Sequence, residues 1–229
     1  MEMEPFVFEH MGFLVGTRAR DAEDDVVEEV NRFALRPLAE PEFAVFTLDL
    51  CHNQVDRHFS RFPDEELAKI DEMVPGRPLM ERHDLRGSLP RGTFFRSRLH
   101  RADDRVSVRP DVYVLRTREN EDFIVNIEGG VYRETSIGFS FRTPECSVCK
   151  RDLRTCDHIP GRSYGDETCH FVMRDVLEVI EGSVVPSGSQ GTGFVAQERT
   201  LPLGRALENA RRSHHRPIEL RPRIVLSDE

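Results

Sequence analysis

Three short segments carry residue types that together can do hydrolytic chemistry: GRPLMERHD around His83, RETSIGFSF around Ser136 and VLEVIEGSVVP around Glu181. A serine hydrolase requires a hydroxyl nucleophile, an imidazole that takes and returns its proton, and a third group that orients the imidazole. Ser136, His83 and Glu181 supply those three types, so peptide-bond hydrolysis is the leading expectation. His83 near its ordinary pKa would act as base toward the serine and then as acid toward the leaving amine. Asp84 is a second candidate for the orienting group, ranked below Glu181 because neighbouring strand residues point to opposite faces. No GxSxG elbow occurs, which disfavours an α/β-hydrolase arrangement.

A second set of residues has metal-ligand spacing. Cys146, Cys149, Cys156 and His158 follow a C-x2-C-x6-C-x-H pattern, with Cys169 and His170 further on. Thiolate and imidazole suit zinc, and a closed tetrahedron needs four ligands. Cys146, Cys149 and Cys156 are the firm candidates, and the fourth is either His158 or Cys169. A closed set of this kind is structural, whereas a catalytic zinc keeps a position open for water. The fifth cysteine, Cys51, reads as a small buried hydrophobe.

The elements that must position these residues are mostly strands. The core begins at Phe43, where AVFTLDL reads as a strand, and RPLMERHD reads as a strand with His83 at its end. GTFFRSRL follows, then RVSVRPDVYVL alternates Val106, Val108, Val112 and Val114, with Pro110 marking a bulge or an edge. In TSIGFSF, period-two alternation puts Ile137, Phe139 and Phe141 on one face and Ser136, Gly138 and Ser140 on the other. The serine thus sits on a small, open face, and a plain solvated strand serine stays open as the alternative. FVMRDVLEVIEGSVVP reads as one or two buried strands.

Helices are expected at two places in this core. Pro63 suits a first helical position, with Leu67, Ile70 and Met73 at helical spacing. Asn120 is a candidate N-cap before Phe123, Ile124 and Ile127, and Gly129 or Gly130 a stop. The acidic run DAEDDVVEEV could open another helix, and LGRALENARRSHH is a candidate amphipathic helix in the tail.

Composition narrows the function classes. The 229 residues are 38% hydrophobic and 32% charged, which suits one globular domain with loose ends. A net charge of -9 argues against general nucleic-acid binding, because phosphate contacts need a basic face. No run of roughly 18 apolar residues occurs, and the acidic start MEMEPF lacks the positive region of a secretory signal, so no membrane span and a cytoplasmic location are expected.

Taken together, GRPLMERHD, DVYVLRT, RETSIGFSF and EGSVVPSGSQ resemble the prohead maturation proteases of tailed bacteriophages, distant relatives of the herpesvirus assemblins, over Phe43 to Val195. A subset of those proteases looks similar in the cysteine segment as well, with CSxC, C-x-H and Y-x-G patterns. The resemblance implies an α+β fold: a small, mostly antiparallel β-barrel with surrounding helices and a zinc-binding loop insertion. It places the histidine of the family's H-D motif on His83, the serine of its S-I/V-G motif on Ser136 and the acid of its E-x-S motif on Glu181. The assemblins use a histidine as third member, so Glu181 is the least secure of the three.

By the same resemblance the domain spans 43–195 with its insert at 144–170, between an N-terminal extension (1–42) and a C-terminal tail (196–229). The implied substrates are scaffold and capsid proteins, with the protease's own chain a further candidate, acted on by a homo-oligomer inside the assembling prohead in the host cytoplasm. An oxyanion hole is expected in the SGSQGTG loop, whose glycines would leave backbone N–H groups pointing inward, although an arginine is missing there. The alternatives are a non-enzymatic assembly protein of the same fold with a structural zinc, and, more weakly, a zinc hydrolase, which the absence of an HExxH-like open ligand set disfavours.

Overall fold

The computed structural model describes residues 18–195, with side chains from Asp25 onward. The expected tail helix lies outside the described residues. A helix over the acidic run, α1 (Arg18–Asn31), precedes the first strand, β1 (Phe43–Thr47). Val30 and Leu38 are buried against Phe43, Phe95 and Tyr113, so packing extends upstream of the point where the alternating strands begin. Among the described residues no helix is long and apolar enough to cross a membrane.

The main sheet is built from seven strands: β1, β3 (Ser60–Arg61), β4 (Pro78–Glu81), β5 (Gly92–Arg96), β8 (Asp111–Leu115), β9 (Glu134–Cys146) and β12 (Phe171–Val185). They run in the order β1-β8-β5-β4-β12-β3, with β9 paired to β12. All pairings are antiparallel except those of β12 with β3 and β4. A smaller antiparallel sheet holds β2 (Cys51–His52), β7 (Arg105–Val108) and β6 (Leu99–Ala102). The molecule is therefore α+β and mostly sheet. Its two outer strands, β1 and β9, are not laddered together. The segment around Gly193 and Phe194 lies between them, with isolated bridges from Phe194 to Leu48 and from Gly193 to Glu134 and a bond from Val195 N–H to Thr47 O (2.9 Å).

RVSVRPDVYVL is two strands in different sheets, β7 and β8, and the chain turns between them at Arg109 and Pro110. Pro110 lacks an N–H, so a ladder cannot run through it. The first expected helix is α2 (Asp64–Met73), with Pro63 one residue earlier than expected, at the N-cap, and three acids in the first turn where the helix dipole favours them. The other is α3 (Glu121–Glu128), which buries Phe123, Ile124 and Ile127 as their spacing requires.

The segment from Phe171 is one continuous strand, β12, bent by register shifts between Val176 and Glu178 and between Val179 and Glu181. At the first, the Val176 N–H donates to Glu66 Oε2 (2.9 Å), a buried α2 carboxylate that also accepts from Lys69. This satisfies a buried donor at the irregularity.

Candidate active site and metal centre

The second bulge decides which way the acid points. Val179 pairs with Phe139, and the next paired residue, Glu181, sits opposite Gly138, so Ile180 is the extra residue. Strict alternation from buried Val179 would turn Glu181 to the core face. With the bulge, Glu181 and Ser183 join Gly138 and Ser136 on the same face, while Gly182 stays against Phe94 and Leu50.

Glu181 is 2% exposed and both its oxygens are used. Oε1 lies 2.6 Å from His83 Nδ1. Oε2 is in short contact with Ser183 Oγ, which also stands 2.9 Å from Arg82 O. A hydroxyl carries one proton, so Ser183 donates to one of the two at a time. An ionised carboxylate only accepts, so in this pairing His83 Nδ1–H is the donor, and Nε2 has no hydrogen-bond partner among the described residues. The hydrogen bond from Glu181 raises the His83 pKa above the ordinary imidazole value, against a smaller lowering by burial.

Backbone geometry places His83. Arg82 adopts a left-handed φ of 66°, and its N–H donates to Val184 O (2.9 Å) just past the end of β4. A non-glycine residue in that region is uncommon, and here two neighbours on β12 hold it. Asp84 takes no part: its Oδ1 accepts from the N–H groups of Arg86 and Gly87, closing the next turn.

Space for the carboxylate comes from Gly138. A Cβ there would stand 2.2 Å from Glu181 Oε1, so no other residue fits without moving the acid.

Ser136 pairs with Ser183 across β9 and β12. Its hydroxyl has no hydrogen-bond partner among the described residues, and no bond joins it to His83. Ser136 also lines a cleft of about 160 Å³. The structure thus brings His83 and Glu181 into direct contact and sets Ser136 two register positions from Glu181, on the same face.

The loop after β12 differs from the expectation in one respect. The Gly188 N–H does not point freely inward but donates to Glu134 Oε2 (2.7 Å). Gly188 and Gly193 are there because a Cβ at either would meet a β9 or neighbouring carbonyl, Thr135 O or Arg133 O, at 2.4 Å. The loop is held from outside by Arg57, whose guanidinium reaches Ser187 Oγ (2.9 Å) and Gly188 O, and by His52, whose Nε2 lies 2.9 Å from Gln190 O. His52 Nδ1 accepts from Gln54 N, and burial lowers its pKa, so the ring is a neutral strut.

In the cysteine segment, ligand atoms of Cys146, Cys149, Cys156 and His158 all lie within 4.8 Å of one another. Cys146 ends β9. The chain reverses through Lys150, whose φ is 60° and whose N–H donates to Cys146 O, and a short 3-10 helix (Leu153–Thr155) delivers Cys156. The rings of Tyr164 and His158 stand edge to face with their centroids 4.5 Å apart.

The donor set fits a metal. His158 Nδ1 is buried with no hydrogen-bond partner among the described residues. The Cys149 thiol is lowered to about 6, first by the Arg151 backbone N–H, which favours the thiolate a metal needs. These four residues form a possible metal site. Cys169 is not among these four, although its Sγ lies 4.0 Å from Cys146 Sγ, and burial pushes its thiol up to about 11. Cys51 is fully buried, as its solitary position implied.

The sequence reading missed three residues: Gly138, Ser183 and Arg82. Only the small-residue face of TSIGFSF carried a signal for the first. Comparisons with protein-family models, with curated proteins and with solved structures give no match.

Proposed function

We propose that the chain is a serine endopeptidase of the prohead-maturation type, with Ser136 as nucleophile, His83 as general base and Glu181 as the group that orients the imidazole. The observation that carries this reading is the buried Glu181 carboxylate gripping His83 Nδ1 at 2.6 Å on the face that also bears Ser136. A buried carboxylate is costly unless it is hydrogen-bonded, and the bond that satisfies Glu181 Oε1 also fixes one histidine tautomer. In the reaction Ser136 Oγ attacks the carbonyl while His83 Nε2 takes its proton. The imidazolium, stabilised by Glu181, then protonates the departing amine, and water repeats the sequence to release the acid.

The barrel of this enzyme class would be completed by the bridges at Leu48 and Glu134. Its substrates would be scaffold and capsid proteins and its own chain, processed as a homo-oligomer within the assembling shell in the host cytoplasm. Zinc would be held by Cys146, Cys149, Cys156 and His158. With four protein ligands it would supply structural cross-linking of the insert rather than an activated water.

Incubating the purified protein with its scaffold or capsid protein beside a Ser136→Ala control tests the reading. Cleavage by the wild type alone is expected, and equal cleavage by both would overturn the nucleophile. One observation favours the alternative of a non-enzymatic assembly protein: no hydrogen bond links Ser136 to His83 among the described residues. That protein would leave scaffold and capsid uncut.

A further inference from the structure

The cleft beside Ser136 has a mixed lining. Its apolar part is Leu50, Phe62, Ile137, Phe139 and Met173, of which Leu50 and Phe62 are each 1% exposed. Of the polar side chains in the lining, Asp56, Ser60, Thr135, Gln190 and Thr192 are already paired within the protein, whereas those of His58, Ser136 and Ser189 have no hydrogen-bond partner among the described residues. Asp56, the single acid in the lining, accepts from His58 N (2.9 Å) and Ser60 N (2.8 Å) through Oδ1 and from Ser60 Oγ (2.9 Å) through Oδ2. The Gln190 amide is spent on the His52 backbone at both ends, and Thr192 Oγ1 donates to Thr135 O. An aspartate held by three internal donors has little left to offer a cationic guest.

From this we infer that the cleft is the specificity subsite for the residue on the acyl side of the scissile bond, and that it selects an uncharged aliphatic or phenyl-sized side chain. The inference rests on the serine-protease reading and deepens it. Size supports it: the cleft measures about 160 Å³, and a dry apolar cavity of roughly 150 Å³ accepts a benzene-sized guest. Chemistry supports it as well, because Leu50, Phe62 and Phe139 reward burial of methylene groups. A lysine head in the same place would lose its water and meet only an acid, Asp56, whose oxygens are already taken.

The test uses the full chain and aminoalkyl diphenyl phosphonates bearing alanine, leucine, phenylalanine, lysine or aspartate side chains. A fluorophosphonate with no amino-acid side chain serves as reference. In each reaction a bond forms between Ser136 Oγ and phosphorus, the phosphorus–oxygen bond to phenol (phosphorus–fluorine in the reference) breaks, and the serine proton leaves through His83. Adduct formation is read by intact mass and peptide mapping.

The leucine and phenylalanine probes should label Ser136 at least about tenfold faster than the lysine probe, the low end of what an apolar pocket discriminates. Met173→Ala, or Phe139→Leu if the first does not fold, should shift the preference toward the larger ring. Labelling by the fluorophosphonate combined with a charged preference, or with none, would overturn the subsite and leave the nucleophile standing. No labelling by any probe would overturn both. An unchanged preference in a folded wall variant would show that these walls do not hold the side chain.

Discussion

Gly138→Ala should disable the site without disturbing the fold, although residue 138 does no chemistry. A Cβ at this position would stand 2.2 Å from Glu181 Oε1 and 3.0 Å from its carboxyl carbon. Ordinary contact distance is about 3.5 Å, so the carboxylate must retreat by about 1 Å. That retreat stretches the 2.6 Å bond to His83 beyond hydrogen-bond range. A hydrogen bond to a charged group contributes about 1.5–3 kcal/mol. At about 1.4 kcal/mol per factor of ten, the loss in kcat/KM should be roughly 10- to 150-fold. The strand itself should tolerate the change, because alanine costs a strand less backbone entropy than glycine. Peptide hydrolysis, thermal melting and NMR titration of the His83 ring are the assays, with Ser140→Ala, on the same strand face, as the control. A Gly138→Ala variant with wild-type kcat/KM and an unshifted His83 titration would show that Gly138 makes no room that matters.

Four further outcomes follow from the same geometry. Because the Glu181 bond raises the His83 pKa and the base must be neutral, activity should fall on the acid side through a limb above the usual imidazole value of about 6.5. Glu181→Gln should move that limb to lower pH while reducing the plateau, and an unmoved limb would remove Glu181 from the triad. His83→Ala should damage activity about as much as Ser136→Ala in the same assay, since the members of a triad act as a unit. Ser183→Ala leaves Glu181 Oε2 one donor short and should cost about 1.5–3 kcal/mol of stability, read in urea unfolding, with a smaller loss of activity than Gly138→Ala because the His83 bond remains. Elemental analysis should find about one zinc per chain, lost in Cys149→Ala and His158→Ala but kept in Cys169→Ala, and equal loss in the last would make Cys169 a ligand.

The parts of this arrangement that were legible in the sequence are those set by local periodicity. Alternation in TSIGFSF anticipated that Ile137, Phe139 and Phe141 pack on the core and leave Ser136 and Gly138 on the other face. The apolar spacing of α2 and α3, and the cysteine spacing around Cys146, were equally local signals. Features that depend on long-range pairing were not legible. The extra residue at Ile180 leaves no mark in composition, and period two applied to VLEVIEGSVV would have sent Glu181 the wrong way. Pro110 signalled an interruption, but not that β7 and β8 belong to different sheets.

The glycines show why a residue type alone does not reveal its role. Those of the loop after β12 read as a source of free N–H groups, yet Gly188 donates to Glu134 and is small because Thr135 O passes where its Cβ would be. That close packing ties the loop to the residue next to Ser136. From the other side Arg57 holds Ser187 and Gly188, and it leaves the turn in which Asp56 and Ser60 line the cleft. The same turn meets the cysteine insert, because Phe59 packs its ring where a side chain at Gly161 would go and its carbonyl accepts from Phe171 N (2.9 Å). A continuous path of contacts therefore runs from the metal-binding segment through Phe59 to the wall beside Ser136. A metal that stiffens the insert would steady this wall while making no contact with the substrate.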